Sequence, residues 1–497
     1  MTGGLTKEEE SAGSSLFSGL KDENATDIPI KWDEVADVVI IGSGFAGLAA
    51  AIEAKRAGSS VIVIEKRKVR GGNSMISGGV VAAAGSPLQK RKGVKDSPEL
   101  LLHDMLKAGL YLNYPDLVRI VAEKSNETVQ WTINYLGVKY DDTLTQWGGH
   151  SVPRSYTTYN KSGAAIIHRQ LAKLKNLGVE VKTKRLLTKF IRYNDDRVKG
   201  IEIRDGYMFP NENSGTVRHI KARKAVVLTT GGFGNDVLFR TTQDPRLNED
   251  TDSTNQPGAT AEALIEAMNI GAMPVHLSLI QLGPWACPDE KGFGIGPWFA
   301  QTVAFQYGVL INPKTGKRFM NEMSDRKIRT DTIIETGHIC IGIADAISAK
   351  IRSDFMPRLL KRGIVKKFET LEDLANSYGI PFGALKETID EYNSYILDRE
   401  DKEFGKYIPK DAEKLTHAPF YAIRVWPKVH HTMGGVQINT KAQVIGLDHR
   451  PIKGLYAAGE VVGGVHGACR LGSCAIVDCL IFGRIAGKHA AIEPKIP

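Results

Sequence analysis

The stretch VADVVIIGSGFAG, residues 35–47, decides the fold of this chain. Its apolar half is typical of a buried strand, its end is a GxGxxG turn, and the Ala-rich segment that follows predicts a helix over 45–57. A second buried strand, predicted over 60–64, ends beside Glu65. This β-α-β pattern predicts dinucleotide binding, because glycine N–H groups and a helix N-terminus hold a pyrophosphate and an acid at this spacing binds a ribose.

Further glycine-rich segments follow predicted strands or precede a predicted helix. Closely spaced glycines let the backbone pass near a flat or phosphorylated ligand. These segments are RGGNS at 70–74, SGG at 77–79, TTGG at 229–232 after a strand over 224–228, Gly459-Glu460 after the strand that begins at Gly454, and RLGS at 470–473 before a helix over 473–490.

The composition is that of an ordinary globular protein. The chain has 497 residues, of which 42% are apolar and 24% charged, so collagen-like, coiled-coil and wholly disordered proteins are excluded. The net charge of +9 fits a small anionic ligand, whereas the basic runs are scattered and lack interleaved aromatic residues, so no nucleic-acid partner is predicted.

The five cysteines form no CxxC pattern, and neither a metal site nor a disulfide framework is predicted. No apolar run is long enough for a membrane span, so the expected location is the cytoplasm, or an extracytoplasmic compartment if a leader has been removed.

Changes of sequence pattern divide the chain into four parts. Residues 1–34 are polar and aperiodic and are predicted to be a tail or linker. Residues 35–277 and 430–497 share the strand-and-glycine pattern and are predicted to form the two parts of one domain, whereas residues 278–429, rich in Pro, Gly and aromatic residues, are predicted to be an inserted domain. The remaining predicted elements are helices over 97–108, 116–135, 164–177, 371–376 and 384–397 and strands over 179–183, 188–193 and 197–203, the last two joined by a turn at Asn194-Asp195-Asp196.

The ordered set of motifs resembles the flavoprotein subunits of the fumarate reductase and succinate dehydrogenase family, most closely the soluble flavocytochrome c fumarate reductases and the urocanate reductases. The matching strings are GSGFAG, RGGNS, TTGGFG, STNQPG, VHHTMGGV and GLYAAGEVVGGVHGACRLG, and the similarity covers roughly residues 33–490. The resemblance implies an α/β protein with a Rossmann-like, glutathione-reductase-like FAD-binding domain and an inserted α+β capping domain. In membrane-bound relatives a His bonded to the flavin occupies the position of Gly72, so the FAD is expected to be non-covalent here. The expected cofactor-binding residues are Gly42, Gly44, Phe45, Ala46, Gly47, Glu65, Lys66, Gly71, Gly72, Asn73, Ser74, Ser77, Gly78, Gly79, Thr230, Gly231, Gly232, His431, Gly459, Glu460, Arg470, Ser473, Ala475 and Ile476.

The resemblance also implies a reaction and three catalytic residues. The family transfers a hydride between flavin N5 and a carbon of an activated C=C bond, and a proton moves to or from the adjacent carbon. Arg470 and His430 match the pair that binds a substrate carboxylate, a role that suits the planar fork of an arginine. Arg326 matches the arginine assigned as proton donor, an unusual role because a guanidinium rarely gives up a proton.

The chain departs from the family where fumarate reductases bind the second carboxylate. Gly283 replaces the His of that site, and in an approximate alignment Ala300, Gln301 and Ala304 replace a Thr, a Glu and the relay Arg. Because burying an unpaired carboxylate is costly, fumarate is expected to be a poor substrate. We expect Gly283, Gln301, Tyr307, His430 and Arg470 to contact the substrate, with Gln301 or Tyr307 as candidates for the proton relay. The nearby aromatic residues Trp285, Phe293, Trp298, Phe299, Phe305 and Tyr307, together with the volume lost at Gly283, predict a monocarboxylate with a bulky, even aryl, β-substituent.

Alternatives to an unsaturated-carboxylate reductase remain open at this point. A ketosteroid-type dehydrogenase shares the fold but uses Tyr as acid or base and has no use for a carboxylate-binding pair. A fumarate reductase with an altered relay, an oxidase and a non-catalytic flavoprotein are the others. No NADH site is visible, so the expected partners are a small carboxylate substrate and a separate electron donor, which would be a cytochrome, a flavoprotein or a quinol-linked protein.

Overall fold

The computed structural model describes residue 29 and residues 31–192 and 197–496. The predicted tail at 1–34 therefore lies almost wholly outside the described residues, as does the turn predicted at 194–196. The first strand begins at Glu34, one residue before the predicted start.

An eight-stranded sheet forms the centre of the molecule. The first strand, Glu34–Ile41, lies between the parallel strands Val61–Glu65 and Thr216–Leu228. Its apolar run is buried because helices cover a parallel sheet on both faces. The long helix Cys474–Ile492 packs closely against Phe45–Arg56, where Gly483 and Gly487 face the backbone of Ala46 and Ala50. This arrangement confirms the predicted mixed α/β class, and it brings the C-terminal part of the chain onto the first β-α-β unit.

The elements agree closely with the prediction in this part of the chain. The strand predicted over 224–228 is longer than expected, at Thr216–Leu228. The helices are Phe45–Arg56, Gly72–Ile76, Pro87–Arg91, Pro98–Ala108, Pro115–Asn134, Ala164–Asn176, Val237–Gln243, Glu262–Asn269, Gly296–Phe299, Arg326–Glu335, Ala346–Ala349, Met356–Lys361, Leu371–Tyr378, Phe382–Asp398 and Cys474–Ile492, with a π-helix at Ala300–Ala304 and a 3₁₀ turn at Lys350–Arg352. The strands are Glu34–Ile41, Val61–Glu65, Val80–Ala82, Tyr140–Thr145, Ser155–Thr158, Val181–Thr183, Arg185–Arg192, Val198–Asp205, Thr216–Leu228, Pro274–Val275, Ile280–Gly283, Val309–Ile311, Cys340–Ala344, Val365–Phe368, Phe420–Val425, Lys428–Thr432, Gly435–Val436, Gln443–Ile445 and Pro451–Ala457.

Residues 285–425 have hydrophobic clusters of their own. One cluster surrounds Trp285 and Phe299, and a second packs the helix Phe382–Asp398 against the strands that follow Val309. A four-stranded antiparallel sheet lies between them, in the order Val309–Ile311, Cys340–Ala344, Phe420–Val425, Val365–Phe368. We call residues 285–425 the cap.

The chain enters and leaves the cap through two strands that pair with each other. Ile280–Gly283 runs antiparallel to Lys428–Thr432, and Gln281 lies opposite His431 with a register irregularity beside it. This pairing positions the site, because it fixes Gln281 and His430 next to each other at the edge between the cap and the central domain.

Candidate active site

A cavity lies at the carboxyl ends of the central strands, as expected for a parallel α/β sheet. We call it the glycine-lined cavity; its empty space, with the open solvent at its mouth included, is about 900 Å³. The residues predicted for the cofactor that line it are Gly42, Gly44, Phe45, Ala46, Glu65, Lys66, Gly71, Gly72, Asn73, Ser74, Thr230, Gly231, Gly232, Gly459 and Glu460.

The glycines of the first turn are required by close backbone contacts. Gly42 has φ +106°, and a Cβ there would lie 2.4 Å from the carbonyl oxygen of Thr229. Two other glycines act differently, since a Cβ at Gly72 or Gly231 would meet no protein atom within 4 Å. Both line the cavity, so their missing side chains leave space for a ligand. The helix that starts at Phe45 also has no side-chain cap at Gly44, as an anion-binding N-terminus requires.

The Glu65 carboxylate is held in place by the turn itself. Its Oε2 accepts a hydrogen bond from the Ser43 hydroxyl at 2.6 Å, and its Oε1 accepts one from the Arg67 N–H at 2.9 Å. The Ser43 oxygen in turn accepts from the N–H of Gly71 at 2.9 Å, which joins the two glycine segments. Ser43 carried no signal beyond its position inside the GxGxxG turn.

A second cavity continues from the first, and we call it the arginine-lined cavity. The two cavities share Phe45, Asn73, Ser74, Glu460 and Cys479. The second cavity is also lined by the predicted residues Ser77, Gly78, Gln301, Arg326, His430, His431, Arg470, Ser473, Ala475 and Ile476. Residues predicted from three distant parts of the sequence therefore meet on one continuous cleft, and their individual roles stay predictions.

Four predicted contact residues do not line either cavity. Gly47 is a packing residue, because a Cβ there would lie 2.1 Å from the Gly42 carbonyl oxygen, and Gly79 packs against Thr158 and Ser162. Tyr307 lies among the residues around the helix Phe382–Asp398, and its hydroxyl donates to Asp411 at 3.3 Å. Gly283, the fourth, faces the ring of Trp285.

The predicted aromatic wall is only partly correct. Trp285, Phe293 and Trp298 line the arginine-lined cavity, whereas Phe299 and Phe305 are fully buried within the cap. The volume expected at Gly283 is filled, because a Cβ there would lie 3.1 Å from the Trp285 ring. The expectation of a bulky β-substituent had two grounds: the structure fills the volume at Gly283, and it keeps three of the aromatic residues on the cavity wall.

Arg470 and His430 line the same cavity, but only Arg470 brings a positive charge to it. Arg470 is 5% exposed, and its Nε has no hydrogen-bond partner. His430 bonds Thr254 Oγ1 through Nδ1 at 2.7 Å. Burial, together with the positive charges of Arg326 and Arg470, holds the pKa of His430 well below its ordinary value. His430 is therefore neutral, and Arg470 supplies the charge for an anion.

Arg326 begins the helix Arg326–Glu335, which Asp325 caps at its N-terminus. Its Nη1 donates to Gln281 Oε1 at 3.3 Å, and its guanidinium lies 5.6 Å from the centroid of the Trp285 ring. Burial and the neighbouring charges of Arg470 and Arg329 hold the pKa of Arg326 well below the ordinary arginine value. The structure therefore supplies a physical reason why this guanidinium can release a proton.

Sequence reasoning missed Gln281, which links the predicted catalytic residues. Its Oε1 accepts from Arg326, and its Nε2 donates to the Arg470 carbonyl at 3.0 Å and to Cys469 Sγ at 3.1 Å. The only signal was its place in the string before Gly283.

Gln301 has an amide that a second arginine orients. Arg329 is 1% exposed and donates from Nη1 to Gln301 Oε1 at 3.3 Å. The Gln301 Nε2 is buried and has no partner, and the same is true of Trp147 Nε1 on the same cavity. The cavity thus presents two neutral donors that sequence reasoning did not identify as donors.

His431 and Glu460 form a pair on the lining of the same cavity. The His431 Nδ1 lies 3.4 Å from Glu460 Oε1, which accepts from the Thr432 N–H at 3.0 Å. Burial raises the pKa of the Glu460 carboxyl to about 7 despite those hydrogen bonds. His466 lies 5.6 Å from the His431 ring and bonds Asp478, so it does not reach the cavity lining.

No group of three or more His, Cys, Asp or Glu side chains in the described part of the chain could hold a metal ion. No helix in residues 31–192 or 197–496 is both long and apolar enough to cross a bilayer.

Comparison with known proteins bears on cofactor and reaction. A family model described as FAD binding domain matches residues 37–476. The chain is 43% identical to the acrylate reductase flavoprotein subunit of Shewanella woodyi, over 94% of this chain and 93% of that one. It is 34% identical to the urocanate reductase of Eggerthella lenta, over 92% of this chain and 75% of that one. The solved structure of the open conformation of a flavocytochrome c3 fumarate reductase matches with a TM-score of 0.74 and 33% identity, over 98% of this chain and 81% of that chain.

Proposed function

Since this chain belongs to the FAD binding domain family, we propose that it is an FAD-dependent reductase of the C=C bond of α,β-unsaturated monocarboxylates. Membership of the family confirms the predicted Rossmann-like fold and the predicted cofactor. The relatives named acrylate reductase and urocanate reductase support the reaction type.

One observation carries the choice of a carboxylate as substrate. Arg326 and Arg470 line one cavity, where Arg326 donates to the neutral Gln281 amide and the Arg470 Nε has no hydrogen-bond partner. A desolvated cation without a counter-ion is costly, so the cavity favours an anionic ligand. A planar carboxylate suits it, because a guanidinium presents a fork of N–H donors that matches two oxygens.

The glycine-lined cavity would hold FAD. Backbone at Gly42, Gly44 and Gly231 would approach the pyrophosphate, and Glu65 would accept from the ribose. The flavin, when bound, supplies the hydride. Gly72 offers no atom for a covalent link, which supports non-covalent binding.

The side chains of the arginine-lined cavity would bind the substrate carboxylate, deliver the proton and exclude water. Arg470 binds the substrate carboxylate, and its positive charge stabilises the enolate-like charge that develops on that group during reduction. His430 donates to the same carboxylate from Nε2, which requires that the Thr254 hydroxyl donate to Nδ1. Arg326 delivers the proton to the α-carbon, helped by its lowered pKa. The Trp285, Phe293 and Trp298 rings exclude water from the alkene.

The ketosteroid dehydrogenase alternative fits less well. It would need a tyrosine hydroxyl at the reacting carbon, and no tyrosine of the described residues lines the arginine-lined cavity. Reducing equivalents would come from a separate donor, a proposal that the name flavoprotein subunit of one relative supports.

The test is an assay of the purified protein with reduced viologen against acrylate, crotonate, urocanate, cinnamate and fumarate. We expect acid precipitation to release the flavin, acrylate and crotonate to be reduced, and fumarate to be a poorer substrate than either. Arg326→Ala should lower kcat by about a hundredfold or more with FAD retained, and Arg470→Met should raise KM. Fumarate as the preferred substrate, or full turnover by Arg326→Ala, would contradict the proposal.

A further inference from the structure

The Trp285 indole lies on the wall of the arginine-lined cavity, and Gly283 faces its ring. It follows the strand Ile280–Gly283, is 4% exposed and lines the arginine-lined cavity. The nearest atoms to a Cβ built on Gly283 are three carbons of its ring, at 3.1 to 3.2 Å. A side chain at position 283 would crowd the Trp285 ring, which accounts for the glycine there.

The Trp285 ring also contacts the residues proposed for catalysis. Its centroid lies 4.8 Å from that of His430, at 80° between the planes, and 5.6 Å from the Arg326 guanidinium carbon. Phe293 packs edge-on against it at 5.5 Å. A ring held on three sides in this way has little freedom to swing aside, because each alternative rotamer would lose these contacts.

The consequence concerns the length of the substrate. Arg470 and His430 fix the carboxylate end, and Arg326 must reach the adjacent carbon. The Trp285 ring lies close to both His430 and Arg326, so a substrate that contacts those two groups lies beside the indole. A β-substituent on the indole side needs little room if it is a hydrogen or a methyl group, whereas a phenyl or imidazole ring there would meet the indole.

We propose that Trp285 is the residue that sets substrate length, and that it restricts the enzyme to short 2-enoates with a hydrogen or methyl at the β-carbon. This inference rests on the proposed function and names the substrate class of the same site. It replaces the bulky β-substituent expected from the sequence.

The experiment compares kcat/KM for acrylate and cinnamate in the holoenzyme and in two variants. The wild type should prefer acrylate by about a hundredfold. Trp285→Ala should shift that ratio toward cinnamate by about a hundredfold, and Trp285→Phe should give an intermediate ratio while preserving an aromatic contact with His430. Trp426→Phe is the matched control, since Trp426 packs against the same hydrophobic cluster but does not line the cavity, and it should leave the ratio unchanged.

A binding measurement keeps the test independent of turnover. The flavin absorbance should be perturbed by propanoate but not by 3-phenylpropanoate in the wild type, and by both in Trp285→Ala. Equal use of acrylate and cinnamate by the wild type, or an unchanged ratio in both Trp285 variants, overturns the role of Trp285 while the reductase function stands. If the wild type reduces no enoate, the proposed function fails, and the inference fails with it.

Discussion

Arg326 shows how a side chain that is ordinarily a permanent cation acquires acidity. Burial disfavours its charged form, and the guanidinium groups of Arg470 and Arg329 disfavour it further. Arg329 is itself buried, and its hydrogen-bond acceptors are the Gln301 amide and the backbone carbonyls of Glu322 and Asp325. None of those acceptors is a carboxylate oxygen, and the positive charge of Arg329 acts on Arg326.

We expect Arg329→Met to weaken Arg326 as an acid. Loss of one neighbouring positive charge raises the pKa of Arg326, and a proton donor is active below its own pKa. The alkaline limit of kcat should therefore move to higher pH, and kcat at neutral pH should fall by about tenfold. The pH profile of kcat measures both effects.

Lys327→Met provides the control on the same helix. Lys327 is exposed and pairs with Asp331, so its loss should leave the profile in place. An alkaline limit that stays fixed or moves to lower pH in Arg329→Met would contradict the effect assigned to Arg329.

The site residues that belong to a sequence motif could be predicted. The residues whose place in the site depends on contacts with distant parts of the chain could not. Arg326, His430 and Arg470 were found through strings that match a family. Gln281, Trp147 and Arg329 were missed because their roles depend on partners far along the chain, as in the bond from Gln281 to Arg470. Tyr307 was wrongly placed in the site because it is close to Gln301 in the sequence. The π-helix Ala300–Ala304 separates the two residues in the structure.

At the scale of elements, the first β-α-β unit depends on the close approach of helix and turn. A Cβ at Gly47 would lie 2.1 Å from the Gly42 carbonyl oxygen and 2.6 Å from Thr229 Oγ1. Both oxygens are held in place, since Gly42 forms the turn and the Thr229 hydroxyl donates to the Ile41 carbonyl at 2.8 Å. We expect Gly47→Ala to lower the free energy of unfolding by about 2 kcal/mol or more and to cause FAD loss.

Gly383→Ala is the matched substitution for that test. Gly383 lies in the helix Phe382–Asp398, and a Cβ there meets nothing within 4 Å. It should raise the free energy of unfolding by up to about 1 kcal/mol through helix propensity and leave FAD bound. Urea unfolding and the ratio of flavin to protein absorbance measure both variants; a Gly47→Ala protein that keeps its flavin would show that the contact can relax.

The strands of the central sheet were largely predictable and those of the cap were not, although the cap helices predicted over 371–376 and 384–397 are present as Leu371–Tyr378 and Phe382–Asp398. Strands such as Val61–Glu65 are buried apolar runs, which the sequence displays directly. The cap strands are short, and Val365–Phe368 carries the exposed pair Lys366-Lys367, so no apolar run reveals it. Its pairing with Phe420–Val425 depends on residues more than fifty positions away.

At the scale of the whole molecule, the cap has hydrophobic clusters and a buried charge network of its own. Arg318 is 4% exposed and donates to Glu322 Oε2 at 2.9 Å and to Asp401 Oδ2 at 2.7 Å. Lys406 adds a second buried cation, 3.8 Å from Glu322. Burial alone would raise the pKa of Glu322, but the charges of Lys406 and Arg318 outweigh it and hold that pKa below its ordinary value.

We expect Arg318→Met to destabilise the cap by about 3–5 kcal/mol at pH 7, because two buried carboxylates lose their main partner.

The pH dependence of this effect follows from the direction of the pKa shifts of Glu322 and Asp401. Carboxyls whose pKa values are lowered by folding, here Glu322 and Asp401, add stability above their unfolded values of 4.5 and 3.8 and lose that contribution as the pH falls through their folded values. Removing Arg318 removes most of that contribution, so the difference between wild type and variant should be largest at neutral pH and shrink toward pH 4. Urea unfolding of the holoenzyme at pH 7 and pH 4 measures it; a difference that is constant or grows toward pH 4 would show that Arg318 stabilises the cap through packing, such as its contact with the Tyr392 ring at 4.9 Å, and not through charge.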